Sequence, residues 1–363
     1  MTKITDYLLL FLLSAIVPDM MAQQPVDTVA PVAPAIQSPQ PLQASLAPHP
    51  HFPFDPKNPS VHDPVMIKEG NTYYLFETGM GIGQLTSKDL NTWMPGKPVF
   101  DRVPAWINNY LPAFRGHFWA PDILFYQGRY HLFYACSAFA KNTSVIGHAS
   151  AKTLNPDDPV SGWTDHGLIV QSVPYRDRWN AIDPNIIIDE TGTPWMTFGS
   201  FWDGIKLVKL TGDLMGIAKP ETWYSLCRRP RTHSLDDSEP GDGAVEAPFI
   251  FRHGDFYYLF VSYDYCCRGL NSNYNVVVGR SSSVVGPYLD KEGGSLATGG
   301  GSIVIKGDDT YAGVGHCAVY HMDDTDYFIA HGYSKAENGA SKLVIREIEW
   351  DSQGWPILHS LSR

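Results

Sequence analysis

Three acidic residues and one histidine stand out by their place in a repeating pattern. Asp63, Asp183 and Glu246 each head an apolar run that opens with Pro64, Pro184 or Pro248, and His316 heads a fifth run without the proline. Most of the 38 acidic residues must be solvated surface charges. An Asp before a proline also has an ordinary use as a turn residue. Three carboxylates at matching places in five repeats are better explained by one shared site than by separate turns. Carboxylates crowded in one pocket shift one another's pKa values. Glycoside hydrolysis requires that shift. One acid stays protonated to meet the leaving oxygen, one carboxylate activates water or attacks carbon, and a third can keep the acid protonated. No His-Glu-x-x-His, phosphate-binding loop, Gly-x-Ser-x-Gly or dinucleotide-binding glycine signature competes with this site.

The elements that must position these residues read as β throughout. Asp63-Pro64-Val65-Met66-Ile67 is followed by a Gly70-Asn71 turn and the aromatic run Tyr73-Tyr74-Leu75-Phe76. The same strand–turn–strand sentence begins again at Ala120-Pro121, Asp183-Pro184 and Glu246-Ala247-Pro248, and in weaker form at His316. The prolines at 64, 121, 184 and 248 lie 57, 63 and 64 residues apart, room for a four-stranded sheet with loops in each repeat. Further strand-like runs, such as Gly204 to Lys209 and Tyr274 to Ser281, supply the second half of each sheet. Five such sheets arranged radially make an all-β, five-bladed β-propeller. A β-sandwich would explain the strands but not five copies of one hairpin. In a propeller the first strand of each blade lines the central channel, so the carboxylates and His316 should converge on one rim.

The chain has 363 residues, a net charge of −11, and 13% aromatic residues that include 10 Trp and 19 Tyr. Such a charge balance argues against nucleic acid as partner. Most of the aromatics fill a core, and the rest offer faces on which sugar rings stack. Lys3, the apolar run Leu8 to Val17 and the small residue Ala22 read as an export signal over residues 1–22, too short to span a bilayer. Asp6 and Met20 are imperfections in it. Residues 23–51, rich in Pro, Ala and Gln, read as an extended tether. The catalytic domain is expected over 52–363, in a protein that is secreted or periplasmic, monomeric and free of the membrane once the signal is cleaved. The five cysteines form no Cys-x-x-Cys pair, and adjacent Cys266 and Cys267 suit either a disulfide or two buried thiols. Asn142-Thr143-Ser144 matches a glycosylation acceptor and reads as coincidence.

At these positions the chain resembles glycoside hydrolase family 43 and, within it, the arabinanases. The resemblance spans roughly residues 55 to 363. It rests on Val61-His62-Asp63-Pro64, Phe118-Trp119-Ala120-Pro121-Asp122-Ile123, Asn180-Ala181-Ile182-Asp183-Pro184-Asn185, Gly199-Ser200-Phe201-Trp202-Asp203-Gly204 and Val245-Glu246-Ala247-Pro248. Tyr263-Asp264-Tyr265-Cys266-Cys267-Arg268-Gly269 and Gly286-Pro287-Tyr288 resemble arabinanases rather than xylosidases. The resemblance implies that Asp63 is the general base, Glu246 the general acid, and Asp183 the group that raises and orients Glu246. It implies that Trp119, Asn180 and Ser200 line the sugar pocket, and that His316 lies beside a cation, often calcium. Val314 stands where that motif commonly has proline. One histidine is a poor calcium site, so water would supply most of the shell; otherwise His316 simply pairs with a carboxylate. The implied substrate is the α-1,5-linked arabinose backbone of plant cell-wall arabinan. Exo-acting arabinanases, arabinofuranosidases or xylosidases of the same family are alternatives, and so is a non-catalytic sugar-binding propeller. Intact Asp63 and Glu246 argue against the last. Blades one and four are not neighbours in a ring of five, so the two carboxyls should face each other at about 6.5–9.5 Å, with room for water and an inverting displacement.

Overall fold

The structure, a computed structural model, describes residues 54–232 and 236–361. The export signal and tether read over 1–22 and 23–51 lie outside the described residues. Blade one holds β1 (Val65–Glu69), β2 (Thr72–Glu77), the short β3 (Gly79–Met80), β4 (Gly83–Ser87) and β5 (Trp93–Pro95). Blade two holds β6 (His117–Tyr126), β7 (Arg129–Cys136), β8 (Ser144–Ala151) and β9 (Thr164–Ser172). Blade three holds β10 (Asn185–Ile188), β11 (Pro194–Phe198), β12 (Ile205–Lys209) and β13 (Trp223–Cys227). Blade four holds β14 (Val245–His253), β15 (Phe256–Tyr263), β16 (Asn275–Ser281) and β17 (Ser302–Ile305). Blade five holds β18 (Tyr311–Met322), β19 (Thr325–Ser334), β20 (Ala340–Trp350) and β21 (Pro356–His359). Each blade is an antiparallel meander in chain order, and β3 leaves blade one to pair with β6 of the next. The first strands β1, β6, β10, β14 and β18 neighbour one another in a closed ring, so the expected five-bladed β-propeller forms.

Middle strands are covered on both faces, which is why β7 (Arg-Tyr-His-Leu-Phe-Tyr-Ala-Cys) is nearly all apolar and buried rather than alternating. Between blades, side chains interdigitate as in a sandwich core. Phe133 and Ile146 of blade two meet Met196 and Phe198 of blade three. Leu207 and Leu226 of blade three meet Leu259 and Val277 of blade four. Met66 and Leu75 of blade one meet Ile329 and Ile345 of blade five.

The first strand of every blade carries, within it or just ahead of it, a non-glycine residue in the left-handed region: Asp63 (φ 50°), Ala120 (40°), Asp183 (57°), Ala247 (53°) and His316 (51°). In the first four, proline follows. Such a residue costs about 1–2 kcal/mol where it is not glycine, so the surroundings must hold it. They do so through the backbone. The amide of Asp63 donates to His331 Nδ1 (3.1 Å), that of Ala120 to Thr78 Oγ1 (2.7 Å), that of Ala247 to Asp183 Oδ2 (3.0 Å) and that of His316 to Ser262 Oγ (2.8 Å). Each acceptor belongs to the preceding blade, so the bulges also bind the ring together.

These bulges correct one detail of the sequence pattern. Asp63 and Asp183 hold the left-handed position, but in blade four Ala247 holds it and Glu246 stands one residue earlier, level with Trp119 of blade two. Ladder register breaks between Glu246 and Phe249, and likewise between Trp119 and Asp122. A bulge re-aims the side chains beside it, so Glu246 reaches the cavity from a different backbone position than the two aspartates.

Candidate active site

A cavity of about 930 Å³ opens at the mouth of the channel, lined from all five blades by residues that include Asp63, Trp119, Asp183, Ser200, Glu246 and His316. Asn180 lines it as well, so every expected site residue is brought to one place. Asp63, Asp183 and Glu246 are only 7%, 6% and 9% exposed, so their charges are governed by neighbours rather than by bulk water.

Asp63 is surrounded by donors. Thr78 donates to its Oδ2 at 2.6 Å, while Nδ1 of His62 and of His316 lie 2.8 and 3.0 Å from its Oδ1. Burial alone would raise its pKa, but His316 and His62 outweigh burial and hold the carboxyl well below the usual range. His316 responds in kind. Burial disfavours its charge, yet Asp63, with Asp183 and Glu246 behind it, lifts its pKa to about 9. Asp63 and His316 therefore stand as an ion pair at the channel mouth.

Glu246 is shifted the other way. Burial raises it and the charge of Asp63 adds to this, against the opposing pull of its hydrogen bonds from Ser200 Oγ to Oε2 (2.8 Å) and Tyr274 Oη to Oε1 (2.9 Å) and of the His316 charge. Asp183 is also raised, by burial first and then by the charges of Glu246 and Asp63. One cavity thus contains an ionised carboxylate and a pair of carboxyls biased toward the protonated form. That separation of roles is what acid–base hydrolysis of an acetal uses.

Ser200 is more than a wall residue, because it donates to Glu246. Asn180 accepts from Ser144 through Oδ1 (2.6 Å), and the Trp119 indole donates to His117 Nδ1 (3.0 Å). Asn142 is fully buried and donates to the carbonyls of Asp177 and Trp179, which agrees with reading its glycosylation triplet as coincidence. Cys266 and Cys267 form a disulfide on the cavity wall, beside Phe139, Phe201 and Tyr265. The sequence pattern missed Thr78, Tyr274, His62 and His331 as partners of the carboxylates. Tyr274 had one local signal. Gly315, next to His316, leaves space where a Cβ would come within 2.1 Å of the Tyr274 ring.

His62, Asp63 and His331 also bring ligand-type atoms within 4.8 Å of one another. As a metal site the set fits poorly. Nδ1 of His331 already accepts the Asp63 amide, and Nε2 of both histidines meets the hydroxyl of Tyr333. Beside His316, Oδ1 of Asp63 is already paired with its Nδ1. Among the described residues, the group of His, Cys, Asp and Glu side chains close enough to share an ion is His62, Asp63 and His331, and His316 is not part of it.

The sequence and the fold have close counterparts. An extracellular exo-α-(1→5)-L-arabinofuranosidase of Cellvibrio japonicus is 50% identical over 300 residues, 83% of this chain and 86% of that protein. An extracellular endo-α-(1→5)-L-arabinanase of Bacillus subtilis is 41% identical over 304 residues, 82% of this chain and 88% of that protein. The solved structure of a Cellvibrio cellulosa α-L-arabinanase complexed with arabinohexaose superposes with a TM-score of 0.82 at 49% identity, over 84% of this chain and 96% of that one. The pattern of glycosyl hydrolases family 43 matches residues 57–356, and with these relatives it shows that the chain belongs to that family.

Proposed function

We propose that the protein hydrolyses α-1,5-L-arabinofuranosyl linkages of arabinan by a single displacement. The observation that carries this reading is the opposed bias within one cavity: Asp63 is held ionised while Glu246 is held toward its protonated form. Asp63 takes a proton from water as the water oxygen bonds to the anomeric carbon. Glu246 gives its proton to the leaving oxygen as the glycosidic bond breaks. Asp183 raises the affinity of Glu246 for that proton, and Ser200 and Tyr274 orient it. Trp119 and Asn180 shape the sugar pocket. Inversion releases the α-linked unit first as the β-anomer. NMR in the first minutes of reaction, before mutarotation, tests this; an α-anomer as first product overturns the role given to Asp63.

Endo action on the polymer is the primary reading. Exo action is the alternative, favoured by the exo-acting relative at 50% identity. A time course on linear arabinan separates them: mixed oligomers early mean endo, one short product from the start means exo. Relatives named as extracellular support export, with residues 1–22 removed, 23–51 as tether and 52–363 as a monomeric catalytic domain. Sequencing the N-terminus of the exported protein checks the cleavage. A calcium ion beside His316 is a separate reading in which water supplies most of the ligands, and no step above depends on it. Elemental analysis, with activity after exhaustive chelation, decides it.

A further inference from the structure

Four groups behind Asp63 form a closed hydrogen-bond circuit whose proton positions can be counted. The Asp63 amide donates to Nδ1 of His331 at 3.1 Å. His331 is fully buried and stacks on His62 with ring centroids 4.0 Å apart, a setting that opposes a second positive charge. Burial holds its pKa well below the ordinary value, and its Nδ1 accepts the amide, so it is neutral. With Nδ1 accepting, its single proton sits on Nε2, which meets Tyr333 Oη at 3.1 Å as a donor. Tyr333 Oη receives a second donor, the backbone amide of Cys267, at 2.7 Å. Both lone pairs of that oxygen are then occupied. Its own hydrogen has one remaining partner, Nε2 of His62 at 3.0 Å. His62 must accept there, so its proton lies on Nδ1, which faces Asp63 Oδ1 at 2.8 Å. That Nδ1 is buried and has no aligned hydrogen-bond partner, so its approach to Asp63 is a close, bent contact between ring nitrogen and carboxylate oxygen.

We propose that Tyr333 and His331 are positioning residues for the base, locking His62 in the Nδ1–H tautomer so that it presents a hydrogen, and not a lone pair, to the Asp63 carboxylate. The inference rests on the reading of Asp63 as base. The opposite tautomer would set a lone pair against a carboxylate oxygen and push Asp63 out of line. The Cys267 amide completes the lock, which ties the disulfide turn on the cavity wall to the base behind it. Tyr333 is not among the residues lining the cavity, so it acts through His62 and not on the sugar.

The first test reads the tautomer in the wild-type protein, with a variant used only for assignment. In ¹⁵N-histidine NMR, the His62 signal, assigned by its loss in His62→Leu, should show a protonated Nδ1 and a bare Nε2. A protonated Nε2 in the wild type overturns the proposal. Kinetics give the second arm. Tyr333→Phe should lower kcat roughly 10- to 100-fold, the range for a partner that orients a functional histidine from behind, with KM little changed. In the His62→Leu background the same change should add almost nothing, because its path to Asp63 is already cut. Multiplicative losses in the double variant overturn the proposal. Failure of the underlying reading has a different signature: Asp63→Ala would keep its turnover while the His62 tautomer stayed as described.

Discussion

Asp63 and Glu246 are both nearly buried carboxyls, yet one is surrounded by histidines and the other by hydroxyls. Histidine nitrogens stabilise the ionised form of Asp63 strongly enough to overcome burial. Hydroxyl donors to Glu246 do not overcome it. Replacing either residue by alanine should cut turnover roughly 100- to 10,000-fold, the usual worth of a general acid or base. Unfolding curves should stay close to the wild type, and near-normal turnover in either variant would remove the assignment. Asp183 gives a sharper expectation. Glu246 must carry its proton to act, so losing that proton sets the alkaline limb of the pH–rate profile. Asp183 is itself raised to about 8, so it opposes ionisation of Glu246 through its charge in the alkaline range where it ionises. Asp183→Asn keeps the shape and an acceptor for the Ala247 amide but removes the charge, so Glu246 ionises earlier and the limb moves to lower pH. Full activity with an unmoved limb would leave Asp183 as a bulge residue only.

The bulge at the head of each first strand decides where these side chains point. Its proline made the repeats legible in sequence, because proline fixes backbone shape at the same step of each blade. Asp63, Asp183 and His316 were therefore readable as one rim. Glu246 was readable as a member, but grouping it with the two aspartates overlooked the extra residue, Ala247, that separates it from Pro248 and takes the left-handed position. Thr78, His331 and Tyr333 were not readable at all. Thr78 follows the second strand of blade one, and the folding back of that hairpin sets it beside Asp63, whereas His331 and Tyr333 lie on the second strand of blade five and only the closed ring brings them there. Four of the five bulge amides, those of Asp63, Ala120, Ala247 and His316, share one rule, a side-chain acceptor from the preceding blade. Ser262→Ala breaks it for His316 while removing only one oxygen from a fully buried site. A buried amide left without a partner costs about 1–3 kcal/mol. Urea denaturation at equilibrium should show that loss, and an unchanged midpoint would mean the bulge holds itself.

At the scale of the whole ring, four blade junctions are crossed by the chain and the fifth is not. Apart from β3, which joins blades one and two, each blade is a contiguous run of strands, and among the described residues no strand is exchanged to close blade five on blade one. That seam is held by side chains and loops instead. Its core joins Val61, Met66 and Leu75 to Met322, Ile329 and Ile345. Lys68 and Tyr73 both bond Asp323 at its edge, and the Leu343 amide donates to the Pro59 carbonyl at 3.2 Å. The Asp63 amide bond to His331 crosses the same seam, which places the proposed base on the one junction that depends wholly on noncovalent closure. Met66 and Met196 allow a controlled comparison, since both are fully buried, one in this seam and one between blades two and three. Truncating either to alanine should cost about 2–5 kcal/mol of global stability. Only Met66→Ala should also open the ring locally. Amide exchange in β1 and β19 should then accelerate under conditions where the other blades stay protected, because separating blades five and one stretches no chain link. In Met196→Ala, the Ser172–Asn185 connection keeps blades two and three together, and exchange should follow global unfolding alone. Equal exchange patterns in the two variants would show that the seam is as strong as a chain-linked junction.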